Sequence, residues 1–116
     1  MSSAFASKTH ALLCRPYTKG RDWYDYLWYV NRNILPNFKL LSSAVDQVGP
    51  WRRQSIQATP EWLITQMRES IQRIDWIKAK ADVQRFLPAR EQEALAFWNS
   101  DLFLYHTDKL ERLLLE

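Results

Sequence analysis

The chain has 116 residues, of which 47% are hydrophobic and 25% are charged, a composition typical of a soluble globular domain. Its 16 Lys and Arg residues are interspersed with 13 Asp and Glu residues, so the net charge of +3 does not indicate a nucleic-acid-binding arm. No apolar run approaches the ~20 residues that span a bilayer, and the N-terminal segment lacks the order of a signal peptide. One cysteine excludes an internal disulfide. We therefore expect a cytoplasmic protein without membrane contact.

Two glycines in 116 residues are few for a β-rich domain, because tight turns between strands commonly need glycine. No segment of useful length alternates apolar and polar residues, and five prolines divide the chain into helix-length pieces. The sequence therefore predicts an all-α fold: one domain over residues 1–116, a compact bundle of five or six helices.

Prolines and glycines separate three predicted helices in the N-terminal half, over residues 2–15, 20–33 and 38–48. Pro16 ends the first, because proline disfavours a helical conformation at the preceding residue. Asn37 is a typical N-cap for the third, which Gly49 and Pro50 terminate. We expect the first two helices to pack as an antiparallel hairpin.

The fourth helix has the strongest start signal. Thr59, Pro60 and Glu61 combine an N-cap, a proline at the first helical position and an acidic first turn. The apolar residues that follow recur at helical spacing, namely Leu63, Ile64, Met67, Ile71 and Ile74. An amphipathic helix is predicted here.

Two further pieces complete the chain. Asp75 is a predicted cap for a short fifth helix that extends to Leu87 and ends before Pro88. A last helical piece starts near Ala89, with a break predicted at residues 99–101. Its apolar positions are Leu95, Trp98, Leu102, Tyr105, Leu110, Leu113 and Leu114.

Residues 19–30, KGRDWYDYLWYV, carry two aspartates in an otherwise apolar and aromatic stretch. Asp22 and Asp25 share one face of the predicted second helix. Lys8 and Arg15 are seven residues apart and lie within roughly 20° of each other around the first helix, so both can face the aspartates. Two interpretations are open: salt bridges that hold the hairpin together, or a polar site for phosphate groups or a metal ion.

The segment AFASKTHALLCRPYTKGRDWYDYLWYV resembles the C-terminal half of the AbiEii/AbiGii abortive-infection toxins, a nucleotidyltransferase-like family. Members carry a helix of the form K-x-HALLCR followed by KGRDWYD. The later segments IKAKADVQRFLP and LAFW are similar to the family's tail. The resemblance implies the helical part of a toxin from a toxin–antitoxin system of phage defence, with a cognate antitoxin as a partner.

The resemblance also implies roles for individual residues. Lys8 and Asp22 fall on active-site positions, Lys8 against nucleotide phosphates and Asp22 as the acidic catalytic group. Asp25 is a supporting candidate. Further candidates for phosphate binding are Arg15, Lys19 and Arg21.

The chain departs from the family's pattern where metal chemistry is concerned. Related nucleotidyltransferases need a paired-glycine loop for the triphosphate and an Asp-x-Asp pair for magnesium, both on a mixed sheet, and this sequence has none of these. Phosphoryl transfer depends largely on positioning and on metal-centred electrostatics. We therefore expect Mg²⁺ and a nucleoside triphosphate only in a complete enzyme with its N-terminal nucleotidyltransferase domain. For this chain alone we expect no metal ligands, no cofactor and no activity.

Other chemistry has less support from the sequence. His10 and Cys14 share a helical face, but zinc sites need three or four ligands and no second pair accompanies them. An R-x-x-x-x-H ribonuclease motif is absent, as are a P-loop and a dinucleotide fingerprint.

Two alternatives to the toxin domain stay open. One is a non-catalytic interaction module, including a homo-oligomer, because the leucine-rich C-terminus and the many aromatic residues make an exposed apolar patch reasonable. The other is a small RNA-binding protein. Its base-stacking candidates are Trp23, Tyr24, Trp28 and Tyr29, and its candidate phosphate contacts are Arg52 and Arg53 beside Trp51.

Overall fold

A computed structural model of the protein describes residues 1–16 and 18–116. Within these ranges the chain forms seven α-helices, a short 3₁₀ helix and no β-strand. The α-helices are α1 Ser2–Cys14, α2 Gly20–Asn31, α3 Phe38–Gln47, α4 Pro60–Arg73, α5 Trp76–Gln84, α6 Ala89–Gln92 and α7 Ser100–Leu115. The 3₁₀ helix, Glu93–Phe97, lies between α6 and α7. The predicted all-α class is confirmed.

The predicted number of helices, five or six, is wrong. The piece after Pro88 was expected as one helix with a break, and it consists instead of α6, the 3₁₀ helix and α7. Asn99 causes the separation: its extended backbone interrupts the helix, and its side-chain oxygen accepts a hydrogen bond from the Leu102 amide at 2.9 Å. This is N-cap geometry, so a new helix starts where the break was predicted.

The three predicted N-caps are confirmed. The side chains of Asn37 and Thr59 accept hydrogen bonds from backbone amides in the first turns of α3 and α4, each at 3.1 Å. Asp75 accepts from the amides of Ile77 and Lys78 at the start of α5. Local side-chain chemistry therefore accounts for most helix starts.

Helix α2 occupies a central position, in contact with α1, α5 and α7. Trp23 is buried, and its ring meets those of Trp76 and Phe103 edge to face at 5.3 and 5.4 Å. The buried Tyr26 hydroxyl shares a 2.8 Å hydrogen bond with the hydroxyl of Thr107 in α7. Packing on several sides fixes α2, while the antiparallel orientation of the α1–α2 pair stays a prediction.

Gly20 allows the first turn of α2 to approach the backbone of α5. A β-carbon at this position would collide with the carbonyl oxygen of Ala79 and lie 3.0 Å from the Val83 amide nitrogen. The Gly20 amide donates a 2.8 Å hydrogen bond to Asp82 of α5. The N-terminus of α2, and with it the position of Asp22, is therefore set by α5.

None of the helices in the described part of the chain has the length and apolarity that a bilayer crossing requires.

Candidate functional site

Four charged side chains from α1, α2 and the residue after α1 form the Asp22 cluster: Lys8, Arg15, Asp22 and Asp25. Lys8 Nζ lies 2.7 Å from Asp22 Oδ1 and 2.9 Å from Asp25 Oδ2. On the other side, Arg15 Nη1 lies 3.0 Å from Asp22 Oδ2. Each oxygen of Asp22 thus faces a different cation of the preceding helical segment.

Burial makes the Asp22 cluster unusual among the ion pairs of this protein. The Asp22 side chain is 4% exposed, whereas those of Lys8 and Arg15 are 23% and 33% exposed. Burying a carboxylate is costly unless cations and hydrogen bonds compensate. Burial by itself would lower the pKa of Lys8, but hydrogen bonds to Asp22 and Asp25 outweigh it and raise that pKa. Lys8 is therefore charged throughout the physiological pH range.

Arg15 is held by Asp22 only in part. Its Nη1 is within ion-pair distance of Asp22, yet it has no partner in hydrogen-bond geometry among the described residues, and the atom is buried. Proximity without alignment leaves electrostatic attraction but loses much of the hydrogen-bond energy. Arg15 consequently keeps an unused, buried donor next to Asp22.

A surface pocket of about 260 Å³ opens beside this donor, between α1, α2 and α4. Its polar lining comprises Arg15, Thr18, Lys19, Asp22, Ser70 and Arg73. The sequence predicted Arg15, Lys19 and Asp22 as site residues, and the structure brings these three together. Sequence reasoning missed Arg73, because no local signal shows that the last turn of α4 ends against α1.

The structure does not bring Arg21 into this pocket. The Arg21 guanidinium lies over the ring of Phe86, 4.7 Å from its centroid, and Arg85 lies 4.9 Å from the same centroid. Phe86 is half exposed. Arg21 thus stacks on an aromatic side chain, although it directly precedes Asp22.

His10 and Cys14 make packing and hydrogen-bond contacts with the segment that follows α3. The His10 Nε2 donates to the carbonyl oxygen of Val48 at 2.9 Å. The Cys14 side chain packs against Gly49, where a β-carbon would lie 2.9 Å from the sulfur. Burial raises the pKa of the Cys14 thiol to about 11, so it is protonated at neutral pH and a poor nucleophile.

The described residues do not fit a magnesium site. Asp22 and Asp25 are engaged with Lys8 and Arg15, so the charge of the cluster is balanced. In residues 1–16 and 18–116, no three Asp, Glu, His or Cys side chains come together as metal ligands. Mg²⁺ prefers several oxygen ligands around a carboxylate pair or phosphates, and this cluster offers no free pair.

Comparison with known protein families identifies a relationship for most of the chain. The model of a family described as nucleotidyl transferase AbiEii toxin, Type IV TA system, matches residues 2–101. No curated protein and no solved structure matches the chain. The matched range contains the whole Asp22 cluster and every side chain that lines the adjoining pocket.

Proposed function

The chain belongs to the AbiEii nucleotidyltransferase toxin family of toxin–antitoxin systems, and from that membership we propose that the Asp22 cluster and its pocket are the nucleotide-binding part of a transferase site. The observation that carries the proposal is the buried Asp22 carboxylate, held between two cations at the edge of a cationic pocket. An ion pair that only held α1 and α2 together would not require a cationic pocket beside it.

The proposal gives each member of the cluster a different role. Asp22 is the acidic group, and Lys8 fixes it in place while remaining charged. Arg15 and Lys19, which line the pocket, would bind the phosphates of a nucleoside triphosphate, since guanidinium and ammonium groups bind phosphate oxygens strongly. The reaction class is transfer of a nucleotide to an acceptor hydroxyl, in which a new phosphoester bond forms and pyrophosphate leaves.

The proposal also includes a separate domain that binds the metal ions. The two carboxylates of the Asp22 cluster are neutralised by cations, and the described residues hold no group of side chains that could form a magnesium site. We propose that a separate nucleotidyltransferase domain supplies the magnesium ligands, and that these 116 residues bind nucleotide weakly and transfer nothing by themselves.

Isothermal titration tests the nucleotide site. Each nucleoside triphosphate is titrated with Mg²⁺ into the wild type and into the Lys8→Ala and Asp22→Asn variants, after circular dichroism has shown that each is folded. The matched control is Lys78→Ala, which removes an exposed lysine of α5 outside the cluster. Binding by the wild type and the control that is lost in both folded cluster variants supports the proposal. A folded wild type that binds no triphosphate overturns it.

Incorporation of a radiolabelled nucleotide into bulk RNA tests the second part. The isolated protein is expected to give the background of a blank reaction. Robust incorporation by these residues alone would show that no separate domain is needed, and would contradict the proposal that another domain supplies the magnesium ligands.

Family membership also supports an antitoxin as partner. Self-association and RNA binding stay predictions with their own tests. Light scattering at high concentration reports self-association, which a strict monomer contradicts. RNA affinity must fall steeply with salt if phosphate contacts carry it, because neutralised phosphates release their counterions.

A further inference from the structure

We infer that the pocket between α1, α2 and α4 binds a phosphate group, and that Arg73, at the end of α4, is one of its ligands together with Arg15 and Lys19. The inference rests on the proposed function for the source of the phosphate, a nucleotide. The pocket's charge and its poorly used hydrogen-bond donors each support it.

Charge is distributed unevenly around Asp22. On the Oδ1 side, one cation, Lys8, faces two carboxylates at 2.7 and 2.9 Å. On the Oδ2 side, the pocket holds three cationic side chains and Asp22 as its one carboxylate. Among the described residues, no carboxylate lies within ion-pair distance of Lys19 or Arg73. The pocket side therefore carries an excess of positive charge that attracts an anion.

Several hydrogen-bond donors around the pocket are poorly used. The buried Nη1 of Arg15 has no hydrogen-bond partner among the described residues. Within the described part of the chain, Arg73 Nη2 donates only a long bond, 3.4 Å, to the hydroxyl oxygen of the buried Ser70. The Ser70 hydroxyl keeps its own proton for an acceptor. A phosphate group offers acceptor oxygens in several directions, which suits donors that converge from three helical segments.

A simpler role for Arg73 makes a different prediction. An arginine in the last turn of a helix interacts favourably with the negative end of the helix dipole. That role predicts a small loss of stability when Arg73 is replaced, without any effect on anion binding. Arg73 is exposed, and its one side-chain hydrogen bond to the described residues is long, so its replacement is compatible with folding.

Titration with inorganic triphosphate tests the inference directly. The wild type is compared with Arg73→Gln and Lys19→Gln, and with the control Arg90→Gln, which removes an exposed arginine of α6 outside the pocket. Each pocket variant is expected to weaken binding about three- to tenfold, since a charge-assisted contact is lost. The control is expected to stay within a factor of about two of the wild type, because only long-range charge changes. Wild-type affinity in the folded Arg73→Gln protein overturns the inference.

Two further titrations distinguish the source of the phosphate. ATP and a single-stranded RNA oligonucleotide are titrated into the same proteins. ATP binding that weakens in Arg73→Gln, while RNA binding stays unchanged, assigns the pocket to a nucleotide. If RNA binding weakens in Arg73→Gln while ATP binding stays unchanged, the pocket binds phosphate groups of an RNA backbone, and the proposed nucleotide site is overturned. A third result separates the two proposals. If Lys8→Ala abolishes ATP binding while Arg73→Gln leaves it intact, the proposed function stands and the role of Arg73 as a phosphate ligand is rejected. A folded wild type that binds none of the three probes overturns both proposals.

Discussion

Lys8 and Arg68 each hold two carboxylates, yet the two clusters differ in burial. Lys8 contacts its carboxylates at 2.7 and 2.9 Å, and Arg68 contacts Asp108 and Glu111 of α7 at 2.9 and 3.0 Å. The distances are nearly the same. The Asp22 side chain, however, is 4% exposed, and that of Asp108 is 53% exposed.

The difference shows that equal geometry does not imply equal energy. Exposed ion pairs are screened by water and contribute little to stability. A buried carboxylate has lost its hydration, so each cation that faces it becomes necessary. The Arg68 cluster links two helices at the surface, whereas the Asp22 cluster stabilises a charge that the fold would not otherwise tolerate.

The largest expected effect follows from replacing Asp22. Asp22→Asn keeps the side-chain shape but removes the counter-charge of Arg15 and leaves Lys8 with Asp25 as its remaining partner, which should lower the free energy of unfolding by about 3 kcal/mol. Urea denaturation measures the loss. The matched change in the other cluster is Asp108→Asn. Equal losses in both variants would contradict the comparison.

A somewhat smaller loss of stability is expected when Gly20 is replaced. Gly20 fixes the start of α2 and thereby the position of Asp22, and the Arg68 cluster has no glycine in an equivalent role. Gly20→Ala places a β-carbon against the Ala79 carbonyl, so α2 and α5 must separate, at a cost of about 2 kcal/mol. Thermal denaturation gives the change. If this variant is as stable as the wild type, α5 does not set the position of α2.

The two clusters should also differ in their response to alkaline pH. Partners raise the pKa of Lys8 above its ordinary 10.5, so its stabilising contribution is complete below pH 10.5 and is lost as the pH rises through the folded-state value. An arginine stays charged throughout this range. Lys8→Arg should therefore flatten the loss of stability above pH 10.5. Tyr24 titrates in both proteins with a raised pKa and cancels in the difference. Denaturation midpoints of the wild type and of Lys8→Arg between pH 9 and pH 12 measure the difference. If the two proteins lose stability in parallel over this range, the titration of Lys8 is not the cause.

The smallest effect is expected for Arg68→Gln. Its pairs with Asp108 and Glu111 are exposed, so the loss should stay below about 1 kcal/mol and shrink further in high salt. Urea denaturation at two salt concentrations measures it. A loss as large as that of Asp22→Asn would mean that burial does not separate the clusters.

The sequence was sufficient where the determining interactions are local. Asn37, Thr59 and Asp75 cap their helices because each side chain reaches an amide two or three residues ahead. The side chains of Lys8 and Asp22 were expected to face each other, because residue spacing fixes direction on a helix.

Contacts between distant segments could not be predicted in this way. Arg21 was grouped with the phosphate ligands because it precedes Asp22, but its side chain stacks on Phe86 of a later segment. Arg73 was missed because its place in the pocket depends on how α4 packs against α1. Both cases have the same origin: sequence spacing gives the direction of a side chain around its own helix, but not which helix lies opposite.

The two oxygens of Asp22 couple the two sides of the site. Oδ1 faces Lys8 and Oδ2 faces Arg15, so both cations draw on one negative charge. An anion that engages Arg15 competes with Asp22 for that guanidinium and leaves more of the carboxylate's charge to Lys8. By thermodynamic reciprocity, whatever neutralises Lys8 strengthens the hold of Asp22 on Arg15 and weakens anion binding by the same factor. If an anion binds at Arg15 as proposed, a single buried carboxylate would make proton binding at Lys8 and anion binding at Arg15 mutually dependent.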